Sequence, residues 1–331
     1  MNPRGVLILM VVVTCSAIYP PTDSSWARVP TNPVLRSTEP WEGLTHGTPC
    51  VCENVALFDA SAHEFVMFYR GGWGTTAVGR ATSPDGVTWT KYPGNPVFGR
   101  AEGEDGGQPY VFHEGDSLAG PLWMHTTNNG NPAPHVLIAT SQDRGLSWVR
   151  QNASVPLPPQ ASGFGNRVVW REGYQWLMLQ EVLAGPWQIY LYNSSDGHTW
   201  SVLNSGEPLS SLQLHPQGMY GGPRFANVDG RITPRWADGL YHLWYHAVNG
   251  TGDLPTDIYH ATSADLHVWH VTAGAVVHHL GTGFEFDQVI LPSPTDVINR
   301  YRRVYVCQDR HSVLTQVAGP VPLAVGNDAF L

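Results

Sequence analysis

Short apolar and aromatic runs recur along the chain, each closed by a polar turn and each too short for an ordinary helix. The clearest are Phe65 to Tyr69, Leu122 to Met124, Tyr174 to Leu179, Tyr241 to Tyr245 and Tyr301 to Val306. Aromatic and β-branched side chains in runs of this length predict strands. After the first four comes one recurring sequel: a strand ending in Ala-Thr-Ser or a relative, then an aspartate turn, then tryptophan. The copies are Arg80–Trp89, Ala139–Trp148, Tyr192–Trp200 and His260–Trp269. Aspartate bonds nearby backbone amides, glycine accepts a positive φ and tryptophan covers an apolar neighbour. Asp85, Asp143, Asp196 and Asp265 are therefore expected to build turns rather than do chemistry.

The fifth run has no such sequel, and the missing piece stands at the other end of the chain. Trp26-Ala-Arg-Val-Pro-Thr-Asn-Pro-Val-Leu35 matches Trp89-Thr-Lys-Tyr-Pro-Gly-Asn-Pro-Val-Phe98 in its Trp, Pro and Asn-Pro-Val positions. Each repeat has room for about four short strands, the make-up of a propeller blade. The pattern predicts an all-β, five-bladed β-propeller closed by an N-terminal strand pairing into the last blade, with one domain over residues 24–331. Closure hides sheet edges that would otherwise invite aggregation. A two-sheet sandwich would leave the N-terminal match without a reason.

Composition narrows the picture. Thirty-five glycines and 27 prolines oppose a helical chain, and 13 tryptophans oppose a disordered one. A net charge of −9 with a single lysine, Lys91, excludes an electrostatic nucleic-acid surface. Arg4, the apolar stretch Val6–Val13 and small residues up to Ala17 read as a secretory signal peptide over residues 1–17. Eight apolar residues fall short of the roughly 20 that span a bilayer, so the mature chain is expected outside the cell and off the membrane. Three glycosylation sequons begin at Asn152, Asn193 and Asn249. Cys50, Cys52 and Cys307 show no zinc spacing and read as small buried residues, with a pairing to Cys307 open.

Residues 81–98 resemble the five-bladed glycoside hydrolases of the furanosidase type, a group that includes family 43 arabinanases, family 32 invertases and mannoside phosphorylases. Phe284–Val289 is also similar. The resemblance implies an axial funnel that takes an oligo- or polysaccharide and hydrolyses it with two carboxyl groups and no cofactor. The family's Asp-Pro positions read Thr48-Pro49, Gln108-Pro109 and Leu291-Pro292 here, and its Glu-Gly-Pro reads Gly221-Gly222-Pro223. No familiar catalytic triplet carries over.

Candidate residues therefore come from position. Glu42, Glu102 and Glu285 each precede one of those Thr-Pro, Gln-Pro and Leu-Pro prolines by seven residues, with Asp105 and Asp287 nearby. A ring of acids around a funnel is costly unless it serves a purpose. Glu181 ends the apolar run Trp176–Glu181, where burial favours a proton donor, and the resemblance also points to a third-blade acid. Glu42 or Asp105 is the expected base or nucleophile. Arg70 lies thirteen residues before Ser83, as Glu181 lies thirteen before Ser194, so the two are expected to face one cavity. Trp73, His125, Arg224, His246 and Asp287 complete the expected sugar contacts. His242 and His246, four apart, would share one side of a strand, but channel-lining or core roles are favoured and no metal is expected. No phosphate loop and no nucleophile elbow is present. Two other readings stay open: a binding propeller without catalysis, and a sialidase-like enzyme, since Ser141–Trp148 resembles the sialidase Asp box.

Overall fold

The computed structural model describes residues 27–28, 34–43, 51–59, 61–72, 77–99, 107–113, 118–128, 133–185, 187–212, 221–225, 239–247, 257–271, 273–274, 303–308 and 313–318. Among them every regular element is a strand or a single 3-10 turn. None is a helix long and apolar enough to cross a membrane. Strands β1 (Ala27–Arg28) and β2 (Leu35–Arg36) come first, then a 3-10 turn over Pro40–Glu42. The first blade contains β3 (Val51–Asp59), β4 (Glu64–Gly71), β5 (Ala77–Ser83), β6 (Thr90–Lys91) and β7 (Phe98–Gly99). The second contains β8 (Gly107–His113), β9 (Leu122–Asn128), β10 (His135–Ser141) and β11 (Val149–Arg150). The third contains β12 (Gly163–Glu172), β13 (Gln175–Leu183), β14 (Trp187–Ser194) and β15 (Trp200–Val202). The fourth contains β16 (Gly221–Phe225), β17 (Tyr241–Ala247), β18 (Asp257–Ser263) and β19 (His270–Val271). Last come β20 (Arg303–Gln308) and β21 (Val313–Ala318), a hairpin that β1 and β2 join.

The architecture is an all-β propeller. First strands of successive blades stand side by side: β3 against β8, β8 against β12, β12 against β16, with β20 back against β3. Five blades were expected, the last completed by an N-terminal strand; the described strands make four blades from consecutive strands. The chain-end sheet is built differently, two strands from each end. Its register is the one that the Trp26–Leu35 match requires. Ala27 and Arg28 face Ala318 and Val317 as Thr90 and Lys91 face Thr82 and Ala81. Leu35 faces Leu314 as Phe98 faces Val78.

Second strands lie between neighbouring blades and are covered on both faces, which is why β4 and β13 read as continuous apolar runs without alternation. The third-blade run begins one residue later than expected, because Tyr174 is an exposed turn residue. Tryptophans from the aspartate turns close the seams. Trp148 of the second blade meets Phe68 of the first edge-on at 5.7 Å, and Trp200 of the third meets His125 of the second at 5.8 Å.

The four turns are copies of one hydrogen-bonded unit. Asp85 Oδ1 accepts from the Val87 and Thr88 amides, and Trp89 Nε1 donates to the Gly86 carbonyl. Asp143, Asp196 and Asp265 repeat the arrangement. Gly86, Gly145 and Gly197 hold φ between 69° and 79°, while the fourth copy places Leu266 at 68°. Partial burial pushes the Asp85 carboxyl up, but the Thr88 and Val87 amides and the Ser83 hydroxyl outweigh it and hold it at about 2. Burial likewise opposes the Ser147, Ser141 and Leu146 donors that hold Asp143 at about 2. Both folded values lie below the unfolded value of about 4. Their contribution to stability is therefore complete above about pH 4 and is lost as pH falls toward about 2. Asp143→Asn should flatten the acid limb of the stability profile in that window. Superimposable urea midpoints for variant and wild type from pH 4 down to 2 would contradict this account.

Candidate active site

The first strands of three blades are interrupted within one residue of the same level. Register shifts fall between Cys52 and Val55 in β3, between Gly107 and Tyr110 in β8, and between Phe164 and Arg167 in β12. Each is a bulge, two residues opposite one, a device that re-aims side chains. In the third blade the bulged pair is Gly165-Asn166, and the residue opposite is Glu181. Glu181 is 4 % exposed. Its Oε2 accepts from the Asn166 backbone amide at 2.9 Å and from Asn166 Nδ2 at 3.0 Å. Gly165 makes room, since a Cβ there would lie 2.3 Å from Oε2.

Arg167, next along β12, points into the seam with the second blade. It donates through Nε to Gln180 Oε1 at 2.8 Å, and through Nη2 to the Gly165 carbonyl at 2.7 Å and to Thr127 Oγ1. Its Nη1 reaches the carbonyl of Gln108, itself a bulge residue with φ 51°. Arg167, Thr127, Gln180 and Glu181 are all buried.

Strand register defines a set of matching positions. Phe65, Leu122, Trp176 and Tyr241 each pair with the serine that opens an aspartate turn. Five residues further along these second strands stand Arg70, Thr127, Glu181 and His246, opposite Val78, Val136, Ile189 and Ile258. Five residues of strand span about 16 Å, so this level and the aspartate turns lie at opposite ends of the blades. Arg70 and Glu181 do occupy equivalent places in their blades. Thr127 escaped the sequence reading because counting back from the serine crosses a hairpin loop of varying length. Counting forward from Phe65, Leu122, Trp176 and Tyr241, the partners of those serines, finds all four.

Other candidates lie elsewhere. Glu42 is fully buried in the 3-10 turn at the chain's beginning. Its Oε2 accepts from the Thr38 and Glu39 amides and pairs with Lys91 Nζ at 2.6 Å; its Oε1 accepts from Tyr69 OH at 2.9 Å. The neighbouring Trp41 stacks on Tyr69 and fills the space over Gly71 and Gly79. The Thr38 and Glu39 amides hold the turn, and Lys91 and Tyr69 fasten it to the first blade, so Glu42 is an anchor and not the expected base. The residues themselves carried that signal: proline opens the turn and Gly43, with φ 89°, ends it.

His125 also departs from expectation. It is buried between Phe112 and Trp200, and burial, then Arg167 and His198, push its imidazole well below the usual value. It is a neutral seam residue, closed to a sugar. His242 pairs with His260 on the adjacent strand, Nδ1 to Nε2 at 2.9 Å. Among the described residues no group of three or more His, Cys, Asp or Glu is arranged to hold a metal. Trp73, Asp105 and Asp287 lie outside the described residues, as do Glu102, Glu285 and Cys50. Arg224 and His246 are placed by backbone register, opposite Trp244 and Gly222.

Several solved structures of glycoside hydrolases resemble this chain in fold. A glycosyl hydrolase from Bacteroides ovatus superposes with a TM-score of 0.60 at 16 % identity, over 89 % of this chain and 94 % of its own. A protein of the GH130 family of mannoside phosphorylases, which contains glycoside hydrolases that target β-1,2 mannosidic linkages in Candida mannan, superposes with 0.62 at 16 % identity, over 92 % and 96 %. The Bombyx mori GH32 β-fructofuranosidase superposes with 0.55 at 14 % identity, over 81 % of this chain and 59 % of its own. At these identities the likeness establishes the fold. Neither a family model nor a curated protein sequence matches the chain.

Proposed function

We propose that this is a secreted carbohydrate-active propeller that cleaves glycosidic bonds at the axial funnel, with Glu181 as the proton-transferring carboxyl. The observation that carries the reading is the Glu181 site itself. A carboxylate buried opposite a bulge, and oriented by both N–H groups of Asn166, has the fixed geometry that proton transfer to a leaving oxygen needs. Arg70 and His246, at the same register position in their blades, are the proposed contacts for sugar hydroxyls. Asp105, on the connection leading into β8, is the proposed base or nucleophile now that Glu42 is committed to the anchor. Trp73, Arg224 and Asp287 are the proposed further sugar contacts. We count the chain-end sheet as the fifth blade, because β1 and β2 meet β21 as β6 and β7 meet β5. Residues 1–17 are the proposed export signal.

The Ser141–Trp148 turn no longer favours a sialidase, being one of four equivalent structural turns. One observation favours the binding reading: Oε2 of Glu181 already has two protein donors. A panel of arylglycosides, arabinans, fructans and mannans, each with and without inorganic phosphate, separates the two. Turnover that falls by about 10²-fold or more in Glu181→Gln supports the acid role. Undiminished turnover in Glu181→Gln removes that role, and polysaccharide binding without turnover establishes the binding reading. A requirement for phosphate would mark phosphorolysis.

A further inference from the structure

A bulge leaves peptide groups outside the ladder, and buried peptide groups need partners. In the third blade side chains supply them. Gln180 Nε2 donates to the carbonyls of Gly165 at 3.1 Å, Asn166 at 3.1 Å and Glu181 at 2.7 Å. Gly165 O also receives Arg167 Nη2 and the Thr127 hydroxyl. Arg167 fixes which way Gln180 faces. Its Nε is purely a donor, so the amide oxygen must turn toward it and the amide nitrogen toward the bulge.

We propose that Arg167 is a positioning residue. With Gln180 and Thr127 it clamps the Gly165–Asn166 bulge so that Asn166 presents both its N–H groups to Glu181, which makes the state of that carboxyl depend on the seam between the second and third blades. The inference rests on the reading of Glu181 as the working carboxyl. A direct sugar contact is the obvious alternative role for an arginine here. The structure speaks against it: Arg167 is 4 % exposed and its guanidinium serves four protein acceptors in two blades. Lysine cannot replace it, because the planar fork reaches several acceptors at once and an ammonium does not.

The test uses full-length protein labelled with δ-¹³C glutamate, in which the Glu181 carboxyl resonance is identified by its loss in Glu181→Gln. Arg167→Met removes a neighbouring cation and loosens the two donors, both of which favour the charged carboxylate. The Glu181 titration midpoint should then rise by about one pH unit or more. Arg167→Lys keeps the charge without the fork and should fail to restore the wild-type resonance. With a substrate from the panel, kcat should fall about tenfold or more while KM stays within about threefold. Thr127→Val, nearly isosteric, should shift the resonance in the same direction by less, and it serves in place of Arg167→Met if that variant does not fold. A Glu181 resonance and midpoint unchanged in a folded Arg167→Met or Thr127→Val protein overturns the inference. Turnover undiminished in Glu181→Gln overturns the catalytic reading instead, and the resonance still decides whether the clamp acts on the carboxyl.

Discussion

Lys91→Met is expected to lower the unfolding free energy by about 3 kcal/mol or more, the cost of leaving a buried charge without its partner. Lys91 Nζ meets Glu42 Oε2 at 2.6 Å and also donates to the Arg36 carbonyl and to Thr38 Oγ1. Glu42 is fully buried, and the lysine side chain is 16 % exposed, so water does little to screen the pair. Methionine keeps the apolar length of the side chain, so the cost reports on charge and hydrogen bonds more than on packing. The double variant Lys91→Met/Glu42→Gln should recover part of the loss, since a neutral amide no longer needs a cation. Urea unfolding of the wild type, Lys91→Met, Glu42→Gln and the double variant gives the coupling energy directly. A single-variant cost below about 1 kcal/mol would place the pair among weak surface contacts and remove the anchor role.

The blades could be read from the sequence because each repeats a unit whose parts have separate physical reasons. Strand runs, the Ser-x-Asp turn and the capping tryptophan all fall at fixed places in the ladder. The partnership of the chain ends was legible for the same reason: Ala27-Arg28 repeats the role of Thr90-Lys91 residue for residue. Chemistry was harder to read. A fixed spacing before proline drew attention to Glu42, yet spacing says nothing of burial, and Tyr69 and Lys91, which give Glu42 its role, are 27 and 49 residues away. Glu181 was found because it stands in an apolar strand, where a carboxylate is out of place without a purpose. Its donors could not be found that way. The bulge at Gly165-Asn166 leaves no mark in the apolar pattern, and Arg167 reaches Thr127 across forty residues of chain. Contacts that every repeat shares are visible in the repeat; contacts peculiar to one blade or made across a seam are not.

Gly165→Ala separates position from chemistry at Glu181 and carries the largest expected effect on turnover. The new methyl would fall 2.3 Å from Glu181 Oε2 and 2.7 Å from Cδ, inside any possible contact. What yields is the end of a flexible side chain rather than backbone, so the fold should survive at a cost of about 1–3 kcal/mol. The carboxylate, however, must swing away from Asn166, and a displacement of about 1 Å at a reacting group costs on the order of 10²-fold in rate. The expected result is a folded protein with a modest fall in Tm, an altered Glu181 resonance and a turnover close to that of Glu181→Gln. Gly163, two residues earlier on β12 and paired with Leu183, serves as the control: Gly163→Ala adds the same methyl to the same strand outside the bulge. Equal loss of turnover in both variants would assign the effect to strand distortion. Loss confined to Gly165→Ala would show that the absence of a side chain at that one position is what lets Glu181 occupy its place.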